Sequence, residues 1–188
     1  MTQIALAYMN IKAHMAKHLK ALRTAKALSL DATAKLTGVS KAMLGQIERQ
    51  ESSPTIATLW KISSGLDTSF SAFMSSPHGD VIREKTFPDD PNMLIKNIFT
   101  FNTQTRFEMF EIILSGYHQQ MSTPHSVGVI EHVIVLQGEL ALFSGGEWQT
   151  LTSGQSSRFF ADQPHGYHAL SETAIFQNIV SYPLSNKA

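Results

Sequence analysis

Residues 29–50 read SLDATAKLTGVSKAMLGQIERQ, and this stretch decides the fold of the first part of the chain. Ser29 and Ser40 stand where N-cap oxygens would satisfy the free amide groups at the starts of two short helices. Gly38 lies between them, where a tight turn needs a left-handed backbone. The segment therefore predicts two helices joined by a short turn.

The second of these helices is predicted to have one apolar and one polar face. Val39, Leu44 and Ile47 fall on one side and can bury against the first helix, where Ala34 permits a close crossing. The outward residues offer cations, an amide and a methyl group, which can meet the phosphates and base edges of double-stranded DNA. With the two capping serines included, the candidate DNA-binding residues are Ser29, Ser40, Lys41, Ala42, Gln46 and Arg49.

Three further helices are predicted around this pair. Apolar residues at 11, 15, 19 and 22 form the stripe of a helix that ends near Ala27. Pro54 and Thr55 open another helix, and Phe70 and Phe73 lie in a short fifth one. The sequence thus predicts a five-helix bundle within a domain of residues 1–75.

The formal net charge is zero, but the charges are divided unevenly. Residues 1–75 hold nine Lys or Arg against four Asp or Glu, a net charge of +5, and the remainder holds six against eleven, a net charge of −5. A basic half joined to an acidic half suits a phosphate-facing module tied to one that stays off DNA. The length of 188 residues and the hydrophobic fraction of 43% fit two globular domains.

Features that the sequence lacks narrow the class of protein. The chain has no cysteine, which excludes disulfides and thiolate metal sites. No apolar stretch approaches the roughly 20 residues of a membrane span, and the start MTQIALAYMN lacks the pattern of a signal peptide. We therefore expect a cytoplasmic protein with no membrane partner. Breaker-rich stretches at 75–80 and 87–91 predict a linker over residues 76–92.

From Met93 onward the pattern changes from helical to alternating. Short apolar runs, VIVL at 133–136 and LALF at 140–143, are separated by Gly138 and followed by Gly145 and Gly146. Strands and turns spaced about 8 to 12 residues apart are typical of a small sandwich or barrel. Residues 93–188 are predicted to form an all-β domain.

The first domain resembles the Cro and phage-repressor type of helix-turn-helix domain, often called the XRE family. The matching segments are LKALR at 19–23, GVS at 38–40, IER at 47–49 and SPT at 53–55. The resemblance implies binding to a DNA operator, and it also implies a structural ion pair between Arg23 and Glu48. The chain departs from the family pattern at Leu30, Gly45 and Gln50.

The second domain resembles a cupin, a small jelly-roll barrel. The first cupin motif appears with its second histidine replaced by Val127, and the second motif appears with several substitutions. The matching residues are His125, Val127, Glu131 and Gly138 for the first motif, and Gly154, Phe160, Asp162, His165 and Ala169 for the second.

A metal site is predicted from strand geometry. Residues 125, 127, 129 and 131 would share one face of an extended strand, so that His125 and Glu131 both point inward and His165 arrives from a neighbouring strand. Two imidazoles and a carboxylate can bind a divalent metal, with zinc as the first candidate and iron, nickel or manganese as alternatives. A sensor cupin that has lost its metal is the competing interpretation.

A bound metal would leave open positions for a chelating small-molecule effector. An α-amino acid would offer its amine and carboxylate to the ion, while Val127 and Tyr167 line the effector pocket. No catalytic residue is predicted.

The favoured interpretation is a ligand-responsive, sequence-specific transcriptional regulator. One small bundle makes few DNA contacts, so we expect a homodimer through the cupin domain on a two-fold symmetric operator. One alternative is a metal-dependent, dioxygenase-like cupin enzyme with the helices as a tether. Another is that the helices bind protein instead of DNA.

Overall fold

The computed structural model describes residues 3–73, 84–87 and 90–183, with side chains described for residues 12–73 and 91–183. The chain divides into two compact units at residues 82 and 83. The first unit is helical and the second consists of β-strands. No helix in the described ranges is both long enough and apolar enough to cross a membrane.

Four α-helices, followed by one short 3-10 helix, form the described part of the first unit. They are α1 (Gln3–Ala25), α2 (Leu30–Thr37), α3 (Lys41–Glu48), α4 (Ile56–Gly65) and the 3-10 helix Phe70–Phe73. The predicted bundle of five helices was therefore wrong in its count. Phe70 and Phe73 are both fully buried, and a single 3-10 turn aligns residues three apart, so one turn suffices to place both rings in the core.

The helix ends around the turn follow the predicted capping chemistry. The Ser29 hydroxyl accepts from the backbone N–H of Ala32 at 3.1 Å, and the Ser40 hydroxyl accepts from Met43 at 3.2 Å. Gly38 ends α2 with a φ of +66°, which confirms the left-handed turn. These local bonds fix where α3 begins.

The helices pack around one apolar core. Val39, Leu44 and Ile47 are buried, as the sequence predicted, together with the apolar stripe of α4. Helices α2 and α4 approach closely at Gly65, where a β-carbon would lie 2.5 Å from the carbonyl oxygen of Leu36. The crossing of these two helices therefore requires glycine at this position.

The second unit contains two antiparallel sheets. Their strands are β1 (Glu84–Phe87), β2 (Asp90–Phe99), β3 (Phe107–Ser115), β4 (Gln119–Ser122), β5 (Ile130–Gln137), β6 (Glu139–Ser144), β7 (Glu147–Thr152), β8 (Ser156–Phe160), β9 (His165–Ala169) and β10 (Thr173–Ser181). The larger sheet has the order β1-β2-β3-β10-β5-β8, and the smaller has the order β4-β9-β6-β7. The sheets meet face to face, with the rings of Tyr167 on β9 and Phe176 on β10 centred 5.0 Å apart.

The first strands lie partly inside the range predicted as a linker. Strand β1 and the first three residues of β2 fall within residues 76–92, and Lys85 pairs with Ile95 across these two strands. The β structure therefore starts before Met93. The four residues of β1 are too few for an alternating pattern to be recognised. Residues 76–83 and 88–89 of the predicted linker lie outside the described residues.

Along the strands of the larger sheet, the side chains of the inner face change from apolar to partly polar. Directly paired residues of neighbouring strands lie on the same face. One row is apolar, with Ile95, Ile112, Phe176 and Val135 paired in succession. Toward one end, four polar side chains are buried among the inward apolar ones, and we call this the polar end of the interior: Asn97, Glu108, Glu131 and Asn178.

Candidate DNA interface and candidate metal centre

The recognition helix α3 displays its predicted DNA-facing residues to solvent. Its apolar side is occupied by the buried residues Leu44 and Ile47, which leaves the opposite side outward. All six predicted DNA-binding residues are exposed: Ser29, Ser40, Lys41, Ala42, Gln46 and Arg49. The arrangement presents donors, an acceptor and a methyl group from α3, its caps and the N-cap of α2.

Both cations on this surface are paired with carboxylates of the same unit. Lys41 Nζ lies 2.8 Å from an oxygen of Asp31, and Arg49 makes two hydrogen bonds of 2.8 Å to Glu51. All four side chains are exposed, and solvent screening leaves such pairs little net stability. A DNA phosphate can therefore replace either carboxylate as the partner of the cation.

Helices α1 and α3 are joined by the ion pair that the family resemblance implied. Arg23 donates from Nε and Nη2 to the two carboxylate oxygens of Glu48, at 2.6 and 2.9 Å. Arg23 Nη1 also donates to the carbonyl of Leu28 at 2.9 Å. The guanidinium thus holds α3, α1 and the connection to α2 in one geometry.

The three departures from the family pattern have structural counterparts. A β-carbon at Gly45 would lie 3.8 Å from Leu30 Cδ1, so the side chain of Leu30 covers the helix where Gly45 has none. The large side chain at Leu30 and the missing side chain at Gly45 are therefore complementary. Gln50 adopts a φ of +60°, and its N–H bonds to the carbonyl of Ile47 at the end of α3. Gln50 takes the left-handed conformation that glycine usually supplies.

The buried polar site lies between the two sheets of the second unit. One carboxylate oxygen of Glu131, on β5, is hydrogen-bonded to His125 Nε2 at 2.8 Å. His165 Nε2, on β9, lies 3.5 Å from the same oxygen. The three residues are all buried, and their ligand atoms lie within 4.8 Å of one another. The structure therefore brings the three predicted metal ligands together.

A second set of contacts fixes these side chains. The other oxygen of Glu131 accepts from the Tyr167 hydroxyl and, at 2.9 Å, from the side-chain amide of Asn178. His165 Nδ1 lies 2.8 Å from the carbonyl of Gln163, which requires a proton on that nitrogen. Glu131 and His165 are thus each held by partners behind them.

The charges at this site favour an ionised carboxylate. Burial opposes the ionisation of Glu131, but the hydrogen bond with His125 and the proximity of His165 hold its pKa well below 4.5. Burial also disfavours a charged His165, and the neighbouring Glu131 overcomes that effect and raises its pKa. Burial and the negative charge of Glu131 hold the pKa of Tyr167 well above 10, so the phenol keeps its proton.

The predicted effector residue Val127 is placed differently from the expectation. Strand β5 begins only at Ile130, and Gly128 has a φ of +84°, so residues 125–128 do not form the extended strand that the sequence predicted. Val127 is 85% exposed and does not line the interior. His125 still reaches Glu131, because its backbone N–H bonds to the carbonyl of Ala161 at 2.9 Å.

The geometry of the three ligand atoms fits a metal ion. Nitrogen and oxygen atoms bound to one ion at about 2.0 to 2.2 Å lie roughly 3 to 4 Å apart. The Glu131 oxygen lies 2.8 Å from His125 Nε2 and 3.5 Å from His165 Nε2, and all three ligand atoms lie within 4.8 Å of one another, so small side-chain shifts would bring them to that spacing. Among the described residues, His165 Nε2 is buried without a hydrogen-bond partner. With its Nε2 deprotonated, His165 would complete a ligand set with His125 and Glu131.

Sequence reasoning missed the contribution of Asn178. It lies at an inward position of β10, where Ala174, Phe176 and Val180 occupy the other inward positions. A single polar residue in the apolar half of an alternating strand is a signal that was available in the sequence. Its partner could not be identified, because the pairing of β10 with β5 joins distant segments.

Two protein families match the chain. The family described as Helix-turn-helix (HTH_3) matches residues 19–73, and the family described as Cupin domain (Cupin_2) matches residues 110–180. The matched ranges contain the recognition helix α3 and all three residues of the buried His-Glu-His group. The two resemblances found in the sequence are therefore both supported.

Named relatives cover almost the whole chain. The HTH-type transcriptional regulator SutR of Escherichia coli (strain K12) is 45% identical over 177 residues, which are 94% of this chain and 99% of SutR. The regulator PuuR of the same organism is 26% identical over 165 residues, covering 80% of this chain and 85% of PuuR. The crystal structure of an HTH_3 family transcriptional regulator from Vibrio cholerae is 57% identical, with a TM-score of 0.87, and the match covers 92% of this chain and 97% of that one.

These relatives are named as regulators, which distinguishes the chain from the cupin enzyme considered as an alternative. The fold, the exposed recognition helix and the relatives agree on a DNA-binding transcriptional regulator. The chain belongs to the XRE-type (HTH_3) family of helix-turn-helix transcriptional regulators that carry a C-terminal cupin domain.

Proposed function

We propose that this regulator binds a sequence-specific operator through α3 and that its β domain senses a small-molecule effector. The observation that carries the sensing function is the buried His125-Glu131-His165 group, whose ligand atoms lie within 4.8 Å of one another. Buried ionisable side chains must be paired or coordinate a ligand, and a cluster with shifted pKa values is a candidate functional site.

The proposed DNA contacts follow from the chemistry of the exposed residues. Lys41 and Arg49 bind phosphates, and Gln46 reads a base edge, since a side-chain amide can form two hydrogen bonds to adenine. Ala42 provides a methyl group for contact with thymine. Ser29 and Ser40 lie at the N-termini of α2 and α3, where backbone amides favour a phosphate.

DNA recognition is tested with a genomic fragment library. Full-length protein is incubated with the library, bound fragments are recovered and sequenced, and fluorescence anisotropy then compares the enriched fragment with a scrambled one. We expect at least a 1,000-fold preference for the enriched fragment, in the usual range for specific regulators. Equal affinity for both fragments would contradict sequence-specific binding.

The proposed metal is a divalent ion held by His125, Glu131 and His165, with zinc as the first candidate. Zinc accepts two imidazoles and one carboxylate, and it would supply a Lewis-acid centre with an open position for an effector group. Tyr167 and Asn178 would orient the carboxylate by their hydrogen bonds to Glu131. The proposed effector binds the metal through the amine and carboxylate of an α-amino acid, because these two groups form a chelating pair.

Metal binding is tested by elemental analysis of freshly purified full-length protein. We expect close to one equivalent of a divalent metal in the wild type and a large loss in His165→Ala. His168→Ala, three residues after His165 on the same strand, serves as a control because His168 is outside the group. Protein that contains no metal, and gains no thermal stability when zinc is added, would rule out the metal centre.

We further propose that the protein is a homodimer through its cupin domain. A two-fold operator with half-sites about 34 Å apart requires two copies of α3. Light scattering coupled to size exclusion should give about twice the mass of 20.8 kDa at micromolar concentration. A monomer under these conditions would contradict the dimer.

A further inference from the structure

One buried polar side chain at the polar end of the interior is not used by the His-Glu-His group. Asn97 on β2 is only 4% exposed, and within the described part of the chain neither its Nδ2 nor its Oδ1 has a hydrogen-bond partner. Leaving buried polar atoms unpaired is unfavourable, and native proteins rarely do so. The other inward residues of β2, Met93 and Ile95, are apolar, so packing alone would favour an apolar residue at position 97.

Asn97 lies on the same inner face of the larger sheet as Asn178, which contacts the candidate metal centre. It pairs with Phe110 on β3, and Phe110 pairs with Asn178 on β10, so the three side chains share one row of the inner face. Asn178 Nδ2 donates to Glu131 at 2.9 Å, while its Oδ1 lacks a partner among the described residues. Two strand spacings separate Asn97 from Asn178, which is about 10 Å between their backbones.

We infer that Asn97 and the free oxygen of Asn178 bind the neutral polar tail of the effector, whose charged head lies at His125, Glu131 and His165. This inference rests on the sensing function proposed above. The Asn97 amide offers one acceptor and two donors, and a terminal carboxamide complements both. The predicted effector class is therefore an α-amino acid that carries a side-chain carboxamide.

The expected selectivity follows from the uncharged character of Asn97. An isosteric ligand with a carboxylate tail would bring a negative charge into a buried part of the interior where the Asn97 amide offers no opposite charge to pair with it. An apolar tail of the same length would leave the Asn97 amide unpaired. A site built to hydrogen-bond one group discriminates strongly against an analogue that lacks it.

The test uses Asn97→Leu in the full-length protein, with Ile95→Leu as a control that changes packing on the same face of β2 but removes no polar group. The probes are L-glutamine and L-asparagine, compared with L-glutamate and L-norleucine by calorimetric titration. We expect the wild type to prefer one of the two carboxamides by at least tenfold. Asn97→Leu should lose that preference, and Ile95→Leu should keep it.

The melting temperature of the free protein separates a binding role from a structural role. If Asn97 serves a ligand, Asn97→Leu should melt at the same or a higher temperature, because it replaces unpaired polar atoms by an apolar group. A lower melting temperature with unchanged ligand preference would overturn the inference. So would a wild type that binds neither carboxamide.

Failure of this inference can be distinguished from failure of the proposed sensing function. Wild-type protein that contains metal and binds its operator but ignores both carboxamides would contradict only the role of Asn97 and the ligand class. Wild-type protein without metal, and without a response to any of the four probes, would contradict the sensing function as well.

Discussion

Arg23 and Glu48 lie 25 residues apart in the chain and are joined by two hydrogen bonds, of 2.6 and 2.9 Å, between α1 and α3. The side chains retain 17% and 8% of their accessible surface, so the pair is largely withdrawn from water. Removal of one partner from such a pair leaves an unpaired charge. This ion pair therefore sets the position of the recognition helix more than it adds to net stability.

Glu48→Ala should destabilise the helical unit strongly. We expect a loss of about 2 to 3 kcal/mol in the free energy of unfolding, somewhat below the value for fully buried pairs because Arg23 remains partly exposed. Urea unfolding of the full-length protein measures the change. Glu51→Ala is the matched control, since the Arg49-Glu51 pair is exposed and its removal should have a clearly smaller effect. Equal effects of the two substitutions would contradict the assignment.

Lys41→Ala and Gln46→Ala should weaken DNA binding in different ways. Loss of a phosphate contact at Lys41 should lower affinity for every sequence and reduce the slope of log affinity against log salt by about 1. Loss of a base contact at Gln46 should relax specificity at one operator position by about 1 to 3 kcal/mol. Anisotropy titrations over a range of salt and operator variants measure both. Lys20→Ala, on the exposed surface of α1, provides the control.

Two helical glycines should respond oppositely to alanine. At Gly65 a β-carbon would lie 2.5 Å from Leu36 O and 2.6 Å from Thr37 Cα, so the backbone of α2 would have to move and Gly65→Ala should lose about 2 kcal/mol or more. At Gly45 the nearest atom is the flexible end of Arg49, at 3.0 Å. Gly45→Ala should therefore be neutral or gain up to about 1 kcal/mol from helix propensity. Urea unfolding distinguishes them, and a stable Gly65→Ala variant would disprove the close crossing.

The helical unit should lose stability in mild acid through His18. Burial, and secondarily the charge of His14, lowers the pKa of His18 below its ordinary value of 6.5. The unfolded chain therefore binds a proton near pH 6.5, whereas the folded protein binds it only at lower pH. The contribution of His18 to stability is complete above pH 6.5 and declines as the pH falls below that value.

The measurement is the free energy of unfolding between pH 8 and pH 5 in the wild type and in His18→Phe. The His18 ring packs edge-on against Phe73, with centroids 4.8 Å apart, so an aromatic replacement retains part of the packing. We expect a smaller decline below pH 6.5 in the variant. An identical decline in both proteins would assign the acid sensitivity to other groups.

Much of the helical unit could be predicted because its signals are local. The caps Ser29 and Ser40 and the turn at Gly38 act within a few residues of themselves, and the buried face of α3 follows from the period of one helix. The requirement for glycine at Gly65 could not be predicted in the same way. It depends on how closely α2 crosses α4, which no single helix determines.

The β domain shows the opposite balance. The alternating pattern predicted strands, and the motif spacing selected His125, Glu131 and His165 as a set. The pattern also predicted that Val127 lies in the interior. The chain turns at Gly128 before β5 begins, and Val127 is exposed instead. A short loop before a strand has no periodic pattern that would reveal it. The error therefore affected only Val127, and the prediction of the three ligands was not affected.

The amino-acid sequence by itself determined the two domains, the recognition helix and the identity of the three candidate ligands, because caps, periods and motif spacings are properties of short segments. Only the tertiary structure decided which side chains surround those ligands. Asn178 reaches Glu131 across 47 residues of sequence, and Tyr167 reaches it from the opposite sheet. Strand order and the packing of one sheet against the other are set by long-range contacts, which local sequence patterns do not reveal.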